Sequence, residues 1–206
     1  MRDQKKSAYG SVTFGPVVGY QVPLSCGPSD HDLVLLMRRR QPGAFEQVYR
    51  RHRDRIWRFL HRLATHGAED LFQETWLAAA RNAHRLREDT QLLPWLYTIA
   101  RNKHRNALRF QAFDQRRRAD AAAEPSAQPT TPDDDAQARA RARQLSLAFS
   151  RLPEAHREVL LLCLVEGLSC DDAAGVLALR ADAVRKRLSR ARVELARLMG
   201  TEPVDS

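Results

Sequence analysis

The sequence predicts an all-α protein with two small helical domains joined by a flexible linker, and three observations lead to that prediction. Apolar residues recur at spacings of three and four along residues 31–113 and again along residues 139–200, as they do on the buried side of helices. Residues 114–138 between them contain three prolines, an alanine run and three consecutive aspartates. A length of 206 residues with 43% hydrophobic content suffices for two small cores.

The ends of the chain and the segment between the domains are predicted to lie outside the two folded units. Residues 1–30 hold many glycines and prolines, which disfavour a helix, so we expect a flexible N-terminal arm there. Residues 114–138 cannot bury enough apolar surface to become ordered, which predicts a disordered linker. Residues 201–206 are expected to form a short tail.

Positive charge is concentrated on the two predicted domains. The chain has 34 basic and 25 acidic residues, a net charge of +9, and 30 of its basic residues are arginines. Residues 31–110 carry +8 and residues 139–200 carry +5, whereas the remainder is acidic. Arginine binds phosphate through a planar fork, so this distribution favours a nucleic acid or an acidic protein as partner. A solvated basic surface is the alternative.

The sequence predicts neither a metal site nor a membrane span. Three cysteines, Cys26, Cys163 and Cys170, lack metal-ligand spacing and leave one unpaired, which fits a reduced cytoplasmic protein. Buried packing and a redox role both remain open for Cys163 and Cys170. Zinc-ligand spacing is also missing among the histidines His52, His61, His66, His84 and His104. No apolar run is long enough to cross a membrane.

The second domain contains the pattern of a helix-turn-helix. Ser169 followed by Asp172 predicts a capping box that opens a short helix ending near Leu177, and after a turn a longer helix runs from about Ala183 to Met199. At about 100° per residue, one stripe of the longer helix is apolar and predicted to be buried. Its members are Val184, Leu188, Ala191 and Leu195.

The other side of that helix is basic. Arg185, Lys186, Ser189 and Arg190 point away from the predicted core, where they can reach base edges or phosphates. Arg187 and Arg192 lie at the flanks, where phosphate contact is favoured. An amphipathic helix with a solvated basic face is the alternative, and the motif alone does not separate a repressor from an initiation factor.

Four stretches in this order resemble the extracytoplasmic-function (ECF) group of the sigma-70 family of RNA polymerase sigma factors. AFEQVYRRHRDRIWRFLHRLA (44–64) is similar to the family's opening helices, and AEDLFQETWLAA (68–79) is similar to its polymerase-binding helix. PWLYTIARNKHRNALRF (94–110) is similar to its promoter-melting helix, and residues 152–198 resemble its C-terminal domain. The resemblance implies that residues 31–113 are sigma region 2 and that residues 139–200 are the region 4 helix-turn-helix.

By this resemblance the partners are core RNA polymerase and promoter DNA, no cofactor is needed, and an anti-sigma factor is expected. Polymerase binding is carried over to Asp70, Gln73, Glu74 and Trp76. Binding of the −10 element is carried over to Trp95, Tyr97, Arg101, Asn102, Arg105, Asn106 and Arg109, with a flipped base held by the loop 88–93. For Trp76 and Trp95, simple core packing is the alternative. The basic side of the helix 183–199 would bind the −35 element.

The resemblance has two departures in the helix-turn-helix. Ala178 stands where the family usually has glycine, which carries a steric cost if that residue must be left-handed. Ala183 stands where the family usually has threonine, so Asp182 is expected to cap the longer helix instead.

Two functions therefore compete. A sigma factor accounts for both domains, whereas a stand-alone helix-turn-helix regulator leaves AEDLFQETW unexplained. An enzyme is disfavoured because the sequence has no carboxylate cluster, nucleophile motif or phosphate-binding glycine loop.

Overall fold

The described residues of the first domain form four α-helices. The structure is a computed structural model that describes residues 27–64, 66–117 and 136–200. The predicted tail 201–206, and the predicted arm up to residue 26, lie outside the described residues. The helices are α1 (Asp30–Arg38), α2 (Ala44–Leu63), α3 (Ala68–Asn82), which is followed by a 3-10 turn at Ala83–Arg85, and α4 (Leu92–Arg117).

Helix α1 begins within the segment predicted as arm, because Ser29 forms a complete capping box. Its hydroxyl accepts a hydrogen bond from the Asp32 amide at 3.1 Å, and the Asp32 carboxylate accepts one from the Ser29 amide at 3.0 Å. Two otherwise unpaired amides are thereby satisfied. Helix α1 thus begins at Asp30, one residue before the predicted start of the first domain.

The core of the first domain forms where α2, α3 and α4 pack against one another, with α1 lying on α2. Leu33 and Met37 of α1 are buried at the predicted spacing of four, and Val34 is buried beside them. The largest fully buried side chains of the four helices are Leu33, Ile56, Phe59, Leu60, Leu63, Leu92, Leu96 and Tyr97.

The second domain is also helical. The described part of the chain contains no β-strand. Both ends of the predicted linker 114–138 are helical, since α4 continues to Arg117 and α5 starts at Ala136, while residues 118–135 lie outside the described part. The helices are α5 (Ala136–Arg151), α6 (Glu154–Leu160), which a π-helical turn at Leu161–Val165 extends, α7 (Cys170–Leu177) and α8 (Ala181–Met199).

Helices α6, α7 and α8 enclose the second core. The predicted stripe of α8 is confirmed at Val184, Leu188 and Ala191, which are buried, while Leu195 is half-buried. Helix α5 packs against α8; Ala148 of α5 is buried, whereas Leu145 is 44% exposed.

The turn between α7 and α8 has the left-handed residue that the sequence left in doubt. Ser169 caps α7, and its hydroxyl accepts a hydrogen bond from the Asp172 amide at 3.0 Å. Ala178 adopts φ 54° and ψ 49°, so an alanine occupies a conformation that favours glycine. The expected capping of α8 by Asp182 is wrong, because α8 begins at Ala181 with Arg180 at the N-cap and no side-chain cap.

The two domains pack directly against each other. Helix α4 lies against α7, and α2 contacts both α6 and the π-helical turn. The buried apolar residues of both domains form a continuous core. Within the described ranges, no helix is long and apolar enough to span a membrane.

Candidate DNA and polymerase interfaces

The basic side of α8 is a surface on the second domain, opposite the buried stripe. Arg185, Lys186, Ser189, Arg190 and Arg192 are exposed, and Arg187 is half-buried. The Arg185 guanidinium forms an ion pair with Asp182, one turn earlier, in the first turn of α8. Most of the predicted −35 residues therefore lie on one accessible face, with Arg185 held in place by an acidic neighbour.

Helix α3 carries the predicted polymerase-binding residues on its outer side. Asp70, Gln73 and Glu74 are exposed, and they lie at helical spacings that place them on one face. The Glu74 carboxylate accepts a hydrogen bond from the Lys103 ammonium of α4 at 3.1 Å. Leu77 continues this face and is 57% exposed.

An aromatic groove between α2 and α3 adjoins that face. It has a volume of about 550 Å³ and is lined by Phe45, Tyr49, Phe72, Trp76 and Leu77, among others. The Trp76 ring contacts Tyr49 edge-on with centroids 4.8 Å apart and Phe45 with centroids 6.0 Å apart. Trp76 is only 6% exposed and its indole nitrogen has no hydrogen-bond partner. It forms the base of the groove and is not part of the outer face.

The predicted −10 residues of α4 separate onto two sides of the helix. On one side, Asn102, Asn106 and Arg109 are exposed and Trp95 is half-buried against the core, and these four lie within about 60° of one another. Arg105 is exposed at the edge of this side. The loop 88–93 leads into the same end of α4, which begins at Leu92.

Tyr97 and Arg101 lie on the other side of α4 and face the second domain. Tyr97 is fully buried and packs against Phe59 with ring centroids 5.0 Å apart. The Arg101 guanidinium pairs with the Glu158 carboxylate of α6 at 2.9 Å and donates a second hydrogen bond to the Val176 carbonyl at 3.3 Å. The sequence-predicted −10 set is thus not one surface in this structure.

Glu166, which follows the π-helical turn, is a second acidic residue at the contact between the domains. Its carboxylate accepts hydrogen bonds from the Tyr97 hydroxyl and, at 3.3 Å, from the Arg55 guanidinium of α2. Arg55 also donates to the Glu166 carbonyl at 2.6 Å. Burial raises the pKa of the Tyr97 hydroxyl, and the Glu166 carboxylate raises it further, so the phenol stays protonated.

The described part of the chain also settles the metal-ligand and cysteine expectations. No group of three or more histidine, cysteine or acidic residues could hold a metal ion there. Burial raises the pKa of the Cys163 thiol to about 11, and the neighbouring Cys170 thiol raises it as well. A thiol with such a pKa is a poor nucleophile at neutral pH, which favours packing as the role of Cys163.

Comparison with known proteins assigns the family. The family model described as Sigma-70 region 2 matches residues 48–113, and that described as Sigma-70, region 4 matches residues 142–195. RNA polymerase sigma factor CarQ of Myxococcus xanthus is 37% identical over 76% of this chain and 90% of CarQ. ECF RNA polymerase sigma factor SigM of Mycobacterium tuberculosis is 32% identical over 90% of this chain and 94% of SigM.

This chain is an ECF sigma factor of the sigma-70 family.

Solved structures agree with that assignment. The sigma factor RpoE from Bartonella quintana, in complex with the anti-sigma factor NepR, superimposes with a TM-score of 0.67 over 77% of this chain and 98% of RpoE, at 24% identity, and shows the shared fold. CnrH, in complex with the cytosolic domain of CnrY, has a TM-score of 0.63 at 26% identity over 83% of this chain and 97% of CnrH. The sigma factor therefore has the helical region 2 and region 4 that the sequence predicted.

Sequence reasoning missed three features of these surfaces. Phe45, Tyr49 and Phe72 were given no functional role, although they line the groove between α2 and α3. A helical projection of α4 would have separated Tyr97 and Arg101 from Asn102, since they lie about 140° and 100° around the axis from it. No pattern in the sequence identifies Glu158 and Glu166, because the residues that pair with them lie in the other domain.

Proposed function

We propose that this sigma factor joins core RNA polymerase through α3, contacts the −10 element through the exposed side of α4 and contacts the −35 element through the basic side of α8. The single observation that supports it best is the outer face of α3, where Asp70, Gln73 and Leu77 are exposed beside an open aromatic groove. Polar residues around an exposed apolar centre are typical of a protein-binding surface and not of a DNA-binding one.

The DNA assignments rest on exposure and charge. Arg105 and Arg109 of α4 are exposed beside Asn102 and Asn106, so arginines can bind phosphate while the amides reach unstacked bases. In region 4, Lys186, Ser189 and Arg190 present donors in the position that a recognition helix offers to the major groove. Trp76 contributes to the proposed polymerase surface by forming the base of the groove, where it packs against Phe45 and Tyr49.

Further parts of the proposal follow from the family. The sigma factor combines two modest DNA contacts with a polymerase contact through a tether, so it needs no catalytic activity of its own and works in the cytoplasm. Residues 31–113 and 139–200 are proposed as the two functional units, with 114–138 as the tether. An anti-sigma factor is a proposed partner, as one is bound to the related RpoE of Bartonella quintana.

The polymerase contact is tested with a charge reversal. Asp70→Arg is expected to weaken binding to core polymerase at least about 100-fold, roughly 3 kcal/mol, as for a residue at the centre of an interface. Asp54→Arg is the matched control, since Asp54 is also an exposed aspartate of region 2 and lies about 180° around α2 from the groove residue Phe45. Equal affinities of both variants for core polymerase, in a fluorescence titration, would rule out this surface.

A further inference from the structure

The N-terminal arm contains a segment with an unusual sequence pattern. Residues 7–29 include no charged residue, although 29% of the whole chain is charged. From residue 12 to residue 24 every even-numbered position is apolar, whereas the odd-numbered positions are polar, glycine or proline except Val17. The even-numbered residues are Val12, Phe14, Pro16, Val18, Tyr20, Val22 and Leu24. Strict alternation is typical of an extended segment with one apolar side, and an apolar side of this length favours a site that covers it.

The aromatic groove between α2 and α3 is an open apolar surface on the same chain. The described residues contain no β-strand to which an extended segment could add, so such a segment would have to bind through its side chains. The groove residues of α3 run from Phe72 to Ala80, about 12 Å at 1.5 Å per residue. Alternate side chains of an extended segment are about 6.6 Å apart, so at least two of them fit along the groove.

A second cavity lengthens this groove. It has a volume of about 370 Å³ and shares Phe45 and Ala80 with the groove, and it continues to Met37 at the end of α1. More than two alternate side chains of the arm can therefore be covered in one continuous depression.

The arm leaves the described structure close enough to reach the groove. The Arg51 guanidinium of α2 donates a hydrogen bond to the Pro28 carbonyl at 2.6 Å, which fixes the end of the arm against α2. Arg51 is two residues from the groove residue Tyr49 and about 160° around the helix from it. The path around a helix about 10 Å wide is at most about 20 Å, which about six extended residues span. Residues 21–26 suffice for this path, so Tyr20 can reach the groove.

The charges of the arm and of the groove are complementary. Residues 1–29 carry three basic side chains and one acidic side chain, a net charge of +2, and Lys5 and Lys6 directly precede the uncharged segment. Glu46 lines the groove, and Asp70 is exposed on the adjoining face of α3. Asp70 forms no ion pair with any of the described basic residues, so it is available to a lysine of the arm.

We propose that the even-numbered side of residues 12–24 docks in the groove between α2 and α3 of the same chain, with Phe14, Val18 and Tyr20 as its main apolar contacts. Gln73 and Leu77 line this groove and also belong to the proposed polymerase surface. The docked arm therefore competes with core polymerase. The competition rests on the proposed function, whereas the docking itself does not.

The test uses the full chain with Phe14 replaced by the photo-crosslinking residue p-benzoyl-phenylalanine. After irradiation, the chain is digested and its crosslinked peptides are identified by mass spectrometry. An equal mixture of ¹⁵N-labelled and unlabelled chains separates crosslinks within one chain from crosslinks between two copies. We expect crosslinks within one chain, to peptides of α2 and α3.

Two neighbouring valines supply a matched pair of variants. Val18→Asp is expected to lower the crosslink yield at least about tenfold, because an apolar groove with acidic residues at its edge disfavours a buried carboxylate. Val17→Asp makes the same change of charge on the other side of the segment and is expected to retain the yield. On the groove side, Ala80→Arg fills the groove from an exposed position of α3 and should lower the yield, whereas Ala142→Arg, on the exposed side of α5, should not.

A fluorescence titration with core polymerase measures the competition. Val18→Asp is expected to bind core polymerase at least about fivefold more tightly than Val17→Asp, because a larger fraction of its grooves is open. Equal affinities of these two variants, with crosslinks that only Val18→Asp loses, would support the docking and overturn the competition. That result would also count against the groove as part of the polymerase surface, which Asp70→Arg tests separately.

The docking itself has two contradicting results. Equal crosslink yields in Val17→Asp and Val18→Asp, with both variants folded by circular dichroism, would overturn it, as would crosslinks scattered over the whole chain. Crosslinks found only between labelled and unlabelled chains would assign the groove to a second copy and would likewise overturn docking within one chain.

Discussion

The guanidinium of Arg101 and the carboxylate of Glu158 form a buried ion pair, with nitrogen and oxygen 2.9 Å apart, between region 2 and region 4. Burial raises the pKa of Glu158, while the charge of Arg101 lowers it, so the pair balances a desolvation cost against attraction. A buried ion pair of this kind contributes more to the specificity of the contact between two surfaces than to its stability.

This balance predicts an asymmetry between single and double substitutions. Glu158→Leu leaves the Arg101 guanidinium buried without a counter-charge, and we expect it to cost about 3 kcal/mol of the free energy that holds the domains together. Arg101→Met combined with Glu158→Leu is expected to restore most of that loss, because two apolar residues then pack in place of two charges. Urea unfolding and scattering of the two variants measure this difference. Additive effects of the two substitutions would show that the residues are not coupled.

Ala178 predicts a stabilising substitution. Its left-handed backbone costs an alanine about 1 kcal/mol that glycine does not incur, and an exposed side chain at this position loses no buried contact. We therefore expect Ala178→Gly to raise the free energy of unfolding of region 4 by about 1 kcal/mol. Ala142→Gly, at an exposed position inside α5, is the matched control and should lower it by about 0.5–1 kcal/mol. Thermal unfolding that gives both substitutions the same sign would contradict the prediction.

His104 predicts a loss of stability in acid. Burial, with a smaller effect of Arg157, lowers its pKa from 6.5 to about 4. The unfolded chain therefore binds a proton between pH 6.5 and pH 4 that the folded chain does not, so stability falls as the pH drops through that window. We expect a loss of about 2 kcal/mol, reduced from the full shift because the Glu154 carboxylate, 3.7 Å from the ring, can pair with the protonated form.

The measurement compares wild type with His104→Leu. Glu158 titrates with the opposite sign, since its raised pKa makes the folded state lose stability as the pH rises, but it is present in both proteins. The difference in unfolding free energy between the two proteins therefore isolates His104. A difference that does not change between pH 7 and pH 4.5 would show that the imidazole is not held neutral.

The basic side of α8 predicts two distinct DNA phenotypes within the polymerase complex. Arg190→Ala is expected to weaken promoter binding by about 1–3 kcal/mol and to relax the sequence preference at one position, if its guanidinium contacts a base edge. Arg192→Ala is expected to weaken binding to all sequences alike and to reduce the slope of affinity against salt by about 1. Arg197→Ala is the control on the same helix, where the guanidinium pairs with Glu194 at 2.7 Å. Indistinguishable effects of Arg190→Ala and Arg197→Ala would remove Arg190 from the recognition surface.

Local patterns predicted the helices well, because their causes are local. The Ser169 cap and the stripe of Val184, Leu188 and Ala191 depend on residues within one or two turns, and the structure confirms them. The cap of α8 was mispredicted, since Asp182 lies inside the first turn and pairs with Arg185 instead.

The contact between the domains could not be predicted from periodicity. Arg101 and Glu158 are 57 residues apart, on either side of the linker. A charged residue considered without its partner is expected to be exposed to solvent. Tyr97 would likewise be read as a core aromatic or as a DNA-stacking one, and only its hydrogen bond to Glu166 shows its place at the junction. The assignment of individual −10, −35 and polymerase residues stays a prediction for the same reason, since it depends on partners outside the chain.

Reconstitution with purified bacterial core RNA polymerase tests directly whether this chain acts as a sigma factor. The sigma factor is mixed with core enzyme, separated by size-exclusion chromatography, and the complex is supplied with genomic promoter fragments. We expect co-elution in equal amounts and transcripts that start at a defined subset of promoters, none of which the core enzyme uses alone. A folded protein that fails to co-elute, and that instead binds duplex DNA tightly and specifically on its own, would contradict it in favour of a stand-alone regulator.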